Sequence, residues 1–435
     1  MINQQAVAYT IMTALALNCT IPEYSKFDRK NYPYPDLMKG YQISQYDVPL
    51  CKNGYLTIEQ NGQTRHIGIT RVHLEEDTAR LLHHEGYSLI DINRSGTPLM
   101  EIVSEPDMRS PEEARLYMQK LREILVYLGV SSGRMEEGSL RCDANISIRP
   151  RGQQELGVKT EIKNMNSFRA VQHALEYEAQ RQIELVRAGR TIRQETRGWV
   201  ETKGITVPQR SKEYAHDYRY FPEPDLPPLV ISRAWVEELR AQLPELPDTR
   251  RARYMKEYGL SAQDANVLTE DKALGDYFEQ VLAASSRDIK TRAKAASNLV
   301  LNEIVRLLKA NSFSIQECPL SPSASANLLD LLEKGRITGK QSKEIVEEAF
   351  VSGEMPEEIV KKKGIKPPIS DQGELERIIE EVIANNPKVA NDYRSGKTNA
   401  LQWLVGQVMK QTRGQAKADV VQTLLRTKLD GASSS

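Results

Sequence analysis

Period-two alternation of apolar and polar residues runs through this chain up to about Val230 and largely stops after Pro244. Side chains alternate across a strand but recur every three or four positions on a helix, so the switch separates a sheet-forming front from a helical back. With 435 residues the chain also exceeds what one hydrophobic core serves. The expected class is α+β, with a β-rich unit over 1–240, a helical unit over 241–366 and a small helical tail over 367–435.

Within the front, residues 55–69 read as a hairpin: two alternating runs flank Asn61-Gly62, a pair that readily takes the positive φ values of a tight turn. Residues 143–149 alternate cleanly, with Ala144, Ile146 and Ile148 on one face and Asp143, Asn145, Ser147 and Arg149 on the other. Between them lies a helix that Ser110 can cap, with Pro111 in its first position and Glu113 closing a capping box. Ala114, Met118, Leu121, Leu125 and Leu128 form its buried stripe. The apolar opening from Val7 to Leu17 lacks a basic start and reads as half of an amphipathic helix.

In the back, Leu299, Ile304, Val305 and Leu308 mark one buried helix face, and Lys361-Lys362-Lys363-Gly364 followed by Pro367-Pro368 reads as a linker. Three short helices follow. Their stripes are Leu375, Ile378, Ile379, Val382 and Ile383; Leu401, Leu404, Val405, Val408 and Met409; and Val420, Val421, Leu424 and Leu425. The three serines at 433–435 are a frayed end.

Lys+Arg and Asp+Glu both number 59, so a broad polybasic coat is excluded and any nucleic-acid contact must be local. The cysteines at 19, 51, 142 and 318 form no Cys-x-x-Cys pair, which fits a reducing cytoplasm and offers no evident zinc site. No apolar run is long enough to span a membrane. P-loop, dinucleotide-binding and Gly-x-Ser-x-Gly motifs are missing, and His83-His84 reads as a solvated bend.

Two acidic segments stand out. Glu101 sits in the apolar run 99–103, where an ionised carboxylate needs a cation or a paired base. Glu75-Glu76-Asp77 ends another apolar run. Carboxylates from two strands could hold Mg²⁺; equally, Glu101 could pair with an Arg while the triplet is solvated. Further on, Asp143 and Asn145 share one strand face, and Glu161 shares another with Lys159 and Lys163. Such faces can clamp a nucleotide and its metal, or form a ligand-free ionic network.

Four longer segments are more particular: EYSKFDRKNYPYPDL at 23–37, KGYQISQYD at 39–47, NRSGTPL at 93–99 and DYRYFPEPD at 217–225. With the acidic segments, and in order along essentially the whole chain, they resemble the B-subunit family of the bacterial aspartyl/glutamyl-tRNA amidotransferases. That resemblance implies a front cradle related to glutamine synthetase and guanidino kinases. With ATP and Mg²⁺ it would phosphorylate the side-chain carboxylate of Glu on tRNA(Gln) or Asp on tRNA(Asn). Ammonia channelled from glutamine by an amidase-like A subunit, in a heterotrimer with a small C subunit, would then displace phosphate.

Carried over onto this sequence, the resemblance makes Glu76 and Glu101 the Mg²⁺ carboxylates, with Asp143 an acid near the same centre. It puts Lys30 and Lys39 at the mouth of the ammonia channel, and Arg141, Glu161, Lys163 and Asn164 at the nucleotide site. Lys410 and Arg413 fall in a tail that holds tRNA by shape. It also implies that family members open with a further segment, whose Gly-Leu-Glu-x-His-like strand adds Mg²⁺ ligands and which in some members carries zinc-binding cysteines. Here Met1 falls where the family enters its first helix. The expectation is no zinc, an open sheet edge, and either a start placed too late or a catalytically impaired tRNA-binding scaffold, the former preferred. A free-standing ligase for a small acid fits less well, because such a substrate needs no helical tail to position it.

Overall fold

A computed structural model describes residues 2–211, 218–284, 289–365, 372–397, 399–412, 416 and 418–431. The chain is α+β and divides into two compact units between Thr249 and Arg250.

The first unit begins with α1 (Gln4–Ala16), β1 (Tyr24–Ser25), β2 (Asp28–Asn31) and β3 (Tyr41–Ser44). A long hairpin, β4 (Cys51–Gln60) and β5 (Gln63–Glu76), leads to a short one, β6 (Arg80–His84) and β7 (Tyr87–Asp91). After β8 (Pro98–Ser104) come α2 (Pro111–Tyr127), β9 (Ala144–Ile146), β10 (Thr160–Lys163) and α3 (Phe168–Arg187). The unit continues with β11 (Glu195–Val200), β12 (Ile205–Ser211), β13 (Phe221–Pro222), β14 (Leu229–Val230) and α4 (Arg233–Ala241). The principal sheets run β4-β5-β8, β13-β2-β3 and β12-β11-β10-β9.

The turn between β4 and β5 takes the conformation its sequence favours, with Asn61 at φ 52° and Gly62 at φ 75°. Pairing continues far past the expected hairpin, to Cys51↔Val72. Leu56, Ile58, Ile67 and Ile69 are buried against the helices. α1 is not amphipathic: nine of its thirteen residues are buried, Thr10 and Thr13 among them, because nearly every position is apolar or small. The Thr10 hydroxyl satisfies itself on the Ala6 carbonyl at 2.8 Å.

α2 starts at Ser110, whose Oγ accepts from the Glu113 N–H at 3.1 Å. The Glu113 carboxylate does not return to Ser110 as a capping box would. It accepts instead from the Arg109 N–H and pairs with Arg65 on β5, joining the helix start to the sheet. The alternating segment at 143–149 keeps strand pairing over only three residues, and β9 is antiparallel to β10.

Helices make up the second unit, whose core falls into two clusters, over residues 254–360 and 375–429. Leu299–Ile304 is a π-helical stretch between two α-helices, so the five-residue step from Leu299 to Ile304 returns to one face. The expected linker is helical where it begins: Pro356–Lys362 is a helix, with Ile359 and Val360 buried. Pro367 and Pro368 lie outside the described residues, as does 433–435. Among the described residues the tail has four helices, α5 (Gln372–Asn385), α6 (Pro387–Arg394), α7 (Asn399–Gln411) and α8 (Ala418–Gly431). The unexpected α6 is short and inserts a single buried residue, Ala390. No helix among the described residues is long and apolar enough to cross a membrane.

Candidate active site

The C-terminal half of β5 is covered on both sides. Val72 and Leu74 enter the hydrophobic core, while His73 and Glu75 point the other way and are also buried. Antiparallel pairing sets Glu101 of β8 opposite His73, and residues directly opposite share a sheet face. His73, Glu75 and Glu101 therefore converge, each offering a ligand atom within 4.8 Å of the others. His73 Nε2 lies 3.6 Å from Glu75 Oε2 and 3.8 Å from Glu101 Oε2. Ser44 on β3 donates its hydroxyl to Glu75 Oε2 at 3.1 Å.

This differs from the expected pair. Glu76 is opposite Pro98, three positions from the His73↔Glu101 pair, so alternation turns it to the other side of β5 from Glu101. Its carboxylate pairs with Lys39 at 2.6 Å and accepts from the Ile43 N–H at 2.9 Å. Glu101 also departs from expectation: its strand is a sheet edge and its side chain is 45% exposed. The triplet 75–77 is not solvated; Glu75 and Asp77 are buried, and Glu76 nearly so.

Two carboxylates, one of them open to solvent, suit a hard divalent cation that keeps water in its shell. His73 can join as a third ligand only by freeing a ring nitrogen, because Arg71 Nε donates to its Nδ1 across 3.4 Å. Burial, then the charges of Glu75, Tyr218 and Glu101, pushes the Tyr220 hydroxyl pKa up, which places this ring beside the cluster. Tyr46 stacks on Tyr220 with centroids 4.4 Å apart. Lys30 Nζ stands over the Tyr218 ring at 5.1 Å and Lys39 Nζ over Tyr41 at 4.9 Å. Nearby, Arg29 grips Glu223 through two hydrogen bonds of 2.7 and 2.9 Å and holds that carboxyl below its usual pKa, tying β13 to β2.

The four residues expected around a nucleotide fall into two groups. Arg141 pairs with Asp77. On the polar face of the four-stranded sheet, Lys163 pairs with Asp143 at 2.6 Å and lies 3.6 Å from Glu161, which accepts from the Thr196 hydroxyl. Asn164 follows at φ 65°. Asp143 thus pairs with Lys163. In the tail, Lys410 is exposed in the last turn of α7, and Arg413 lies outside the described residues. The sequence marks the acidic triplet 75–77, but the cation role fell on Glu76, and His73 and Arg94 received none; alternation along 72–76 was the available signal for His73 and Glu75.

Comparison with known proteins matches residues 1–237 to the GatB/GatE catalytic domain and residues 276–429 to the GatB domain. A relative from Carboxydothermus hydrogenoformans is 57% identical over 98% of this chain and 89% of its own length. Relatives from Moorella thermoacetica and Herpetosiphon aurantiacus are 54% and 53% identical, over 98% and 99% of this chain and 90% and 89% of theirs. All three are named as the B subunit of an aspartyl/glutamyl-tRNA(Asn/Gln) amidotransferase.

Proposed function

The chain belongs to the B-subunit family of the aspartyl/glutamyl-tRNA(Asn/Gln) amidotransferases, and from that premise we propose that it activates and amidates an acidic residue carried on tRNA. The substrates are ATP, Glu-tRNA(Gln) and/or Asp-tRNA(Asn), and ammonia. It works in a heterotrimer with an amidase-like A subunit and a small C subunit. The observation that carries the reading is the convergence of Glu75 and Glu101 with His73 on one sheet face.

A carboxylate is a poor acyl donor. An oxygen of the aminoacyl side chain attacks the terminal phosphorus of ATP, the bond to the β–γ bridging oxygen breaks, and ADP leaves. Ammonia then attacks the acyl carbon, the bond to the phosphate oxygen breaks, inorganic phosphate leaves, and the surplus proton passes to solvent. A Mg²⁺ ion held by Glu75 and Glu101 would offset the negative charge of the phosphates.

Ser44 holds the rotamer of Glu75 through its hydroxyl. The polar face bearing Asp143, Glu161, Lys163 and Asn164 supplies donors and acceptors for the nucleotide. Lys30 and Lys39 stand at the ammonia entrance, where fixed positive charge disfavours ammonium relative to ammonia. The cradle relationship to glutamine synthetase and guanidino kinases belongs to this reading. So does the tRNA-holding tail, in which Trp403, Gly406 and Lys410 line an exposed face of α7.

The test is ADP release by the chain assembled with its A and C subunits. The expected result is release that requires mischarged tRNA, with Gln-tRNA(Gln) or Asn-tRNA(Asn) formed once glutamine is added. Binding of both tRNAs without ADP release would leave only a tRNA-holding scaffold and overturn the proposal.

A further inference from the structure

Asp77, just past β5, is only 6% exposed and receives two guanidinium groups. Arg141 meets it with both terminal nitrogens, one at 3.1 Å, and Arg94 meets it through Nε at 3.1 Å. Asp77 is itself immobilised. Its N–H donates to the Thr97 carbonyl at 2.7 Å, and its own carbonyl accepts from Gly96 N–H at 2.9 Å. Its carboxylate also accepts from the Thr78 N–H at 2.9 Å. Arg94 is braced a second time, donating from its other side to the Gly138 carbonyl at 3.0 Å.

One bidentate arginine would already neutralise a buried carboxylate. The second is surplus, and both side chains remain nearly half exposed, at 45% and 48%. Asp77 also lines a recess whose polar side is formed by Lys39, Glu76, Thr78 and Ser95 and whose apolar side includes Leu37 and Met38; neither arginine lines it. Lys39 is matched here by Glu76, and a third carboxylate, Asp36, is bonded to Thr78 at the recess, so Asp77 alone draws two cations, Arg94 and Arg141. Two guanidinium groups aligned on one carboxylate, each nearly half exposed and with donors beyond those given to Asp77 and Gly138, suit a tetrahedral dianion.

We propose that Arg94 and Arg141 form a clamp for a phosphoryl group, with Asp77 as the positioning residue that aligns both. This rests on the reading that the chain transfers phosphate from ATP. The shared ligand chemistry is a phosphate dianion, which comes either from the end of ATP or from the acyl phosphate made from it.

The test uses the assembled heterotrimer with Arg94→Lys, Arg141→Lys, Asp77→Asn and the double variant Asp77→Asn/Arg94→Lys. It measures the KM for ATP, the ADP formed per amide, and the melting temperature. The lysine variants keep the charge but lose the fork. If the clamp holds ATP, they raise the KM by about tenfold or more, the loss expected for a charged hydrogen bond. If it holds the acyl phosphate, the KM stays constant while ADP per amide rises above one through hydrolysis. In either case Asp77→Asn produces the same change, and adding Arg94→Lys to it brings little more, because both act through one alignment.

Lysine variants with wild-type KM and coupling, or an Asp77→Asn that changes only the melting temperature, would overturn the clamp and leave a structural latch. An active wild type in those cases leaves the phosphoryl-transfer reading intact. A wild type that releases no ADP overturns both together.

Discussion

Moving one position along β5 changes which side of the sheet a carboxylate faces, and neighbours in sequence therefore take different tasks. Glu75, with His73 and Glu101, faces the candidate cation site; Glu76 turns to Lys39; Asp77 gathers two arginines. Removing the Ser44 hydroxyl that orients Glu75 should weaken Mg²⁺ or Mn²⁺ binding by about tenfold or more, and Glu75→Gln or Glu101→Gln should weaken it further. Glu76→Gln should leave the cation affinity near that of the parent. Calorimetric titration of the four variants with Mn²⁺ checks the assignment, and a loss with Glu76→Gln equal to that of Glu75→Gln would return Glu76 to the cation site. Adjacent acids are visible in a sequence, but their assignment depends on which residue of β8 lies across the ladder. That pairing is set by long-range register, which a local pattern does not specify.

At the scale of elements, the long hairpin and α2 were legible because their signals are local: two residues suited to positive φ, and a cap followed by an apolar stripe. The contact Glu113 makes in place of a capping box was not, since Arg65 comes from a strand far away in sequence. The tail's α6 escaped notice because eight residues with one buried alanine carry no stripe. Ile67→Ala, at a fully buried position of β5, should cost about 2–5 kcal/mol in denaturant unfolding.

α3 is tied to the four-stranded sheet by Glu178, which is fully buried and pairs with Arg181 at 2.6 Å and Arg197 at 3.5 Å. Burial acts to raise its pKa, but Arg181, Gln182 and Thr206 prevail and hold it below the usual 4.5. A depressed folded value means that this group's stabilisation is full above 4.5 and fades as pH falls through the lower folded value. Glu178→Gln should destabilise by about 3 kcal/mol at neutral pH and flatten the acid limb of the stability curve. Urea unfolding across that range checks it; an unchanged acid slope would assign the limb to other carboxylates.

For the whole molecule, equal numbers of acidic and basic residues mean that any tRNA contact is local rather than made by a general field. On α7, Trp403 is 44% exposed seven positions before Lys410, which puts an aromatic ring and a cation on one face. Trp403→Ala and Lys410→Ala should each lower tRNA affinity in the assembled enzyme, and only the lysine variant should reduce the salt dependence. Filter binding at several salt concentrations separates the two. Composition bounded this behaviour early, whereas which residues share a face became clear only from the helix limits.

In the proposed reaction the first unit makes an acyl phosphate on the aminoacyl-tRNA. Hydroxylamine tests it most directly, because it intercepts activated carboxyls. The assembled enzyme is incubated with Mg²⁺-ATP and Glu-tRNA(Gln), and separately Asp-tRNA(Asn), with hydroxylamine in place of glutamine. The expected product is a side-chain hydroxamate on the tRNA-bound residue, formed together with ADP and lost in Glu75→Gln and Glu101→Gln. AMP in place of ADP, or ADP release from parent enzyme without hydroxamate on either tRNA, would contradict it.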